Sequence, residues 1–97
     1  VEIKWSKIAV RQLEKALDFI IKEGFAQYAT ELQHDILLRI ENLTDNYNIY
    51  QLDKYKTDND GTYHAFEVDD YRISYRVINS EIRIIRIRHT SRKTIGY

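Results

Sequence analysis

The chain has 97 residues, 43% hydrophobic and 31% charged, with fifteen basic and fifteen acidic side chains and a formal net charge of zero. No cysteine is present, which excludes a disulfide framework, thiol catalysis and cysteine-ligated zinc. No apolar run approaches the roughly 20 residues of a membrane span and nothing reads as a signal peptide, so one domain over residues 1–97, cytoplasmic and apart from membranes, is expected.

Val1–Trp5 alternates apolar and polar residues, as a short strand does. Ser6 is placed to cap a helix whose apolar face carries Ala9, Leu13, Ala16, Leu17, Ile20 and Ile21, and Gly24 supplies a stop. A second helix is expected from about Phe25 to Asn42, with Ala29, Leu32, Ile36, Ile40 and Leu43 at three- and four-residue intervals. Residues 45–61 are polar, rich in Asn, Asp and Tyr, and end in the turn signal Asn59-Asp60-Gly61. Three strands follow, Thr62–Val68, Tyr71–Ile78 and Glu81–His89, joined at Asp69-Asp70 and Asn79-Ser80. The expected fold is α+β in the order βααβββ, an antiparallel sheet packed against an N-terminal helical hairpin.

Charge is segregated within this order. Acids exceed bases by four between Tyr50 and Asp70, and from Tyr71 onward seven bases face Glu81 alone. Along Tyr71–Ile78, Tyr71, Ile73, Tyr75 and Val77 share one face and Arg72, Ser74 and Arg76 the other. In Glu81–His89 the apolar phase slips from Ile82 and Ile84 to Ile85 and Ile87. With a two-residue turn, a β-bulge near Ile84–Ile85 brings Arg86 and Arg88 onto the face of Arg72; a three-residue loop does so without a bulge. Like charges on adjacent strands repel. The basic face therefore calls for an anionic complement, either a partner or the chain's own acidic 58–70 stretch.

The order of elements, the strand segment Tyr71-Arg72-Ile73-Ser74-Tyr75-Arg76-Val77 and the ending Ile82-x-Ile84-x-x-Ile87-x-His89-x-x-Arg92 resemble the RelE/ParE superfamily, toxins of bacterial type II toxin–antitoxin modules also called plasmid stabilization proteins. The resemblance spans nearly the whole chain and departs after Leu43, where TDNYNIYQLD stands in place of the family's usual proline and glycine. It implies a cognate antitoxin partner and no cofactor or metal. Two activities occur in the superfamily: RelE-like members cut mRNA in the ribosomal A site without a metal, and ParE-like members poison DNA gyrase by binding. The resemblance is read as a ribosome-dependent mRNA endonuclease, the alternatives being a gyrase inhibitor without nuclease activity or an inactive antitoxin-binding member.

Metal-free cleavage of RNA needs a base, cations for the phosphorane and an acid for the leaving oxygen. By resemblance the candidate catalytic residues are Arg72 and Arg92 for the phosphate, His89 as acid or base, Glu67 as base where RelE carries a lysine, and Tyr97 near a terminal tyrosine. Lys54, Lys56, Arg76, Arg86 and Arg88 are candidates for holding RNA or a protein partner. Each has a simpler role to set beside this: Glu67 pairing with Arg72 or Arg76, His89 packing at a strand end.

Overall fold

The computed structural model describes residues 1–92 and 96–97. Lys93, part of the basic ending, lies outside the described residues. The elements run β1 (Glu2–Trp5), α1 (Lys7–Lys22), α2 (Ala26–Asn42), β2 (Tyr63–Val68), β3 (Tyr71–Ile78) and β4 (Glu81–His89). Among the described residues no helix is long and apolar enough to cross a membrane.

The Ser6 side chain accepts from the Ala9 N–H at 3.0 Å, capping α1. Gly24, at φ +94, ends the helical turn in a backbone region that side-chain-bearing residues rarely adopt. The helix faces close on one another and on the sheet through Ala9, Leu13, Ile20, Leu32, Ile36 and Ile40, all buried.

The sheet order is β1-β4-β3-β2. Strands β2, β3 and β4 are antiparallel, as expected. β1 adds to the free side of β4 in parallel, making the sheet mixed. The turn between β3 and β4 has two residues, with Asn79 at φ 51 and Ser80 at φ 61, the paired positive φ of a type I′ hairpin. Val77 faces Ile82 and Tyr75 faces Ile84, but Ser74 faces Arg86, so Ile85 is the extra residue of a bulge.

The N-cap residue Ser6 and helix α1 bond to the β4 backbone at the bulge and just beyond it. The Ser6 hydroxyl donates to the Ile85 carbonyl at 2.8 Å, and the Gln12 side-chain oxygen accepts from the Ile87 N–H at 2.6 Å. A phase slip in sequence is thus converted into an anchor between helix and sheet.

Residues 45–61 contain no regular element, yet they are tied down along β2. Leu52 bridges His64, the Ala65 N–H donates to the Gln51 carbonyl and the Asp53 N–H to the Tyr63 carbonyl. The fully buried Tyr75 donates its phenol to the Tyr47 carbonyl at 2.8 Å, and Tyr50 stacks on Phe66 at 4.6 Å between centroids. This segment covers an otherwise open sheet edge and wraps onto the sheet face opposite the helices.

Candidate functional site

On that open face the β3–β4 register sets Arg72 against Arg88, Ser74 against Arg86 and Arg76 against Arg83. Glu67 and Tyr63 of β2 stand beside Arg72 and Arg76. The hub of the arrangement is a residue that sequence reasoning passed over, Asp53, whose side chain is fully buried.

Its carboxylate accepts from the Arg72 Nη2 at 2.9 Å, from the Tyr97 phenol at 2.6 Å and from the Tyr55 N–H at 3.1 Å. The Ser74 hydroxyl lies beside both Asp53 and Tyr97. Burial pushes the Asp53 pKa up. The hydrogen bonds from Tyr97, Arg72 and the Tyr55 backbone push it further down, so the group sits below the usual carboxylate value. Tyr97 moves the opposite way: burial and its bond to the Asp53 carboxylate hold the phenol well above its ordinary value.

Tyr97 is held by backbone as well. The Tyr97 N–H donates to the Tyr55 carbonyl at 3.0 Å, and the Thr57 N–H donates to the Tyr97 carbonyl at 2.6 Å. A Cβ added at Gly96 would lie 3.3 Å from the Tyr55 oxygen, a tight approach. Cations and rings then alternate across the face. Arg86 lies 3.9 Å from the Tyr97 ring centre, Lys56 4.7 Å from that of Tyr63, Arg76 4.8 Å from Tyr63 and Arg72 4.9 Å from Tyr55. Burial lowers the pKa of the Arg86 guanidinium, with Tyr97 and Asp53 acting against that shift.

The acidic stretch therefore does provide part of the complement. Glu67 pairs with Arg72 at 3.3 Å and Asp60 with Arg76 at 3.4 Å. Arg88 makes no ion pair among the described residues. It lines a cavity of about 80 Å³ together with Arg72, Ser74, Arg86, Glu67 and His89. Lys54 is exposed, over the Tyr55 ring at 5.2 Å, and Lys56 donates to the Thr57 carbonyl.

The candidate catalytic residues converge only in part. Arg72, Glu67 and Tyr97 gather on the open face, and His89 lines the cavity there with Arg72 and Glu67. His89 pairs with Tyr71 in the register, which assigns it to the helix-side face. There it meets the Tyr71 ring edge-on at 5.0 Å, and its Nδ1 lies 2.6 Å from the Ser91 hydroxyl. Arg92 is exposed beyond β4 and lines a separate groove of about 560 Å³ with Phe19, Ile20, Tyr28, Tyr71 and His89.

The family model described as the ParE toxin of the type II toxin–antitoxin system parDE matches residues 3–94. No match is found among curated proteins. Among solved structures, the chromosomal ParDE TA system from P. aeruginosa is similar at a TM-score of 0.75 and 19% identity, with 94% of this chain and 97% of that chain covered. The likeness in structure concerns the fold. The family match spans almost the whole chain, and the chain belongs to the ParE toxins of type II toxin–antitoxin systems.

Proposed function

We propose that this toxin works by binding DNA gyrase and not by cutting mRNA, and that its cognate antitoxin silences it by covering the same molecule. The observation that carries this reading is the engagement of Arg72, which Asp53 and Glu67 hold on the open face, while Arg92 lies in the groove on the helix side; His89, at the end of β4, lines both. General acid–base cleavage needs its groups within about one hydrogen-bond length of the reacting atoms. A guanidinium already engaged by two carboxylates is also a poor clamp for a phosphorane, since its donors are occupied and its charge is offset. Binding a protein target makes no such demand.

The test uses antitoxin-free protein in two assays, gyrase supercoiling with a readout for trapped cleaved DNA, and primer extension on mRNA from programmed ribosomes. Loss of supercoiling with intact mRNA is the expected outcome. Discrete cuts at the A-site codon with unaffected gyrase would overturn it. The nuclease is the second reading, favoured by Arg72, Glu67 and Tyr97 sharing one face around Asp53. Under that reading Arg72→Ala abolishes cleavage in a folded protein. Either target gives the protein a cytoplasmic site of action.

A further inference from the structure

The turn that follows β4 is tied at successive residues. The Thr90 N–H donates to the Asp70 carbonyl at 2.7 Å, the Arg92 N–H to the His89 carbonyl at 3.2 Å, and the Ser91 N–H to the His89 Nδ1 at 3.1 Å. The Ser91 hydroxyl lies 2.6 Å from the same nitrogen. A backbone N–H can only donate, so Nδ1 offers it a lone pair, and the neutral ring carries its proton on Nε2. Tyr71 meets the imidazole edge-on at 5.0 Å and backs it from the sheet.

We propose that His89 is a proton-operated latch for this turn. Neutral, it fixes Ser91 and keeps Arg92 at the wall of the helix-side groove; protonated, it releases Ser91 and opens that wall. Protonation places a hydrogen on Nδ1, where it faces the Ser91 N–H across 3.1 Å. The Ser91 hydroxyl can rotate and accept from the new donor, because a hydroxyl serves in either role. The amide cannot. Turning the ring over offers no escape, since it brings a carbon-bound hydrogen to the amide and loses the same bond. The turn must therefore move at Ser91, while the Asp70 and His89 carbonyls still hold its flanks. Because His89 lines the small cavity as well as the groove, one proton alters both sites.

Charges of both signs face the ring. Lys15 of α1, Arg88 and Arg92 line the groove with it, together with Asp70 and the phenols of Tyr28 and Tyr71. In the small cavity it shares walls with Arg72, Arg86, Glu67 and Tyr55. The latch does not depend on their balance, because the amide bond discriminates between the two forms directly: it exists only when Nδ1 is bare. It works in the same way whichever target the toxin meets.

The experiment is nuclear magnetic resonance of the isotope-labelled full chain, titrated from about pH 8 to about pH 5, the range over which imidazoles ordinarily change charge. Long-range correlations of the ring nitrogens are expected to show the His89 proton on Nε2 at the alkaline end. On acidification the Ser91 amide should shift with the same midpoint as the His89 ring. Its protection against solvent exchange, corrected for the direct effect of pH, should fall about fivefold as one hydrogen bond is lost. In His89→Gln the side-chain oxygen can still accept from the amide but does not titrate, so the Ser91 signal should hold its place across the range. Ser91→Ala removes the hydroxyl and keeps the backbone bond, and the amide at that position should still follow His89. His34→Gln, at an exposed position of α2, is the control and should leave the response unchanged.

A proton on Nδ1 at the alkaline end would overturn the proposal. So would a Ser91 amide that ignores the His89 titration, or one that keeps its pH response in His89→Gln. Should that variant fold poorly, the unmodified chain decides the matter, since separate midpoints for the Ser91 amide and the His89 ring refute the latch.

Discussion

Replacing Asp53 should be the most damaging single change on the open face. Its side chain is fully buried and receives three hydrogen bonds, from Arg72, Tyr97 and the Tyr55 N–H. Asp53→Ala removes the acceptor for all of them and leaves the mostly buried Arg72 with only the half-exposed Glu67. Breaking a buried ion pair from one side costs about 3–5 kcal/mol, a large part of the roughly 5–15 kcal/mol that stabilises a domain. At about 4–8 °C per kcal/mol for a chain of this length, the melting temperature should fall by about 12 °C or more. Asp53→Asn keeps the shape and one acceptor and isolates the charge. Folding depresses the Asp53 pKa, so the carboxylate's contribution is fully present above its ordinary value of 3.8 and disappears as pH falls through the depressed folded value. The stability gap between the unmodified chain and Asp53→Asn, from urea unfolding at a series of pH values, should therefore be constant near neutrality and close under strong acid. A gap independent of pH down to the acid limit, or a loss below about 1 kcal/mol in Asp53→Ala, would refute the reasoning.

Three further changes probe the frame around the site. Ser6→Ala loses both the cap on Ala9 and the bond to the bulge carbonyl of Ile85, and should cost about 1–2 kcal/mol in denaturant unfolding. Ile36→Ala, at a fully buried helix position facing the core, should cost about 2–5 kcal/mol with little change in denaturant slope. The Tyr28 phenol, raised to about 12 by burial and by its bond to the Asp69 carboxylate at 2.8 Å, should titrate closer to 10 in Asp69→Asn. Ultraviolet difference spectra of the alkaline titration would show the shift.

The elements were legible because each carries its own periodicity, and even the bulge was, since Ile84-Ile85 breaks a strict alternation. The parallel pairing of β1 was not: four residues with no tight turn to β4 carry no signal of direction or partner. The covering segment was opaque for a related reason, being held by single hydrogen bonds and ring contacts from residues with no repeat. In the site, the Glu67–Arg72 pair was legible because it spans one tight hairpin. Asp53 was not, because its partners Arg72 and Tyr97 lie 19 and 44 positions away and nothing in QLDKY distinguishes a buried aspartate from a solvated one. The packing of the His89 ring on Tyr71 follows from the alternation, since the bulge brings Arg86 and Arg88 to the open face; at the strand end His89 still lines the open-face cavity.

The distribution of partners explains why a neutral chain carries so basic an ending. Asp53 and Glu67 act on Arg72, Asp60 on Arg76, and Glu81 on both Lys4 and Arg83. Each of these arginines is offset by the fold, which leaves less of the formal excess available to a partner than the sequence suggests. Among the described residues Arg88 and Arg92 at the end of β4 make no ion pair, and Arg88 lines both the small cavity of the open face and, with Arg92, the large groove on the helix side. Two differently shaped sites thus draw on adjacent charges. The groove, with aromatic and aliphatic walls from Phe19, Ile20 and Tyr71, is wide enough for the side chains of a protein segment. An acidic chain lying in that groove would lower the potential felt in the cavity on the far side of the strand, since the two sites share Arg88.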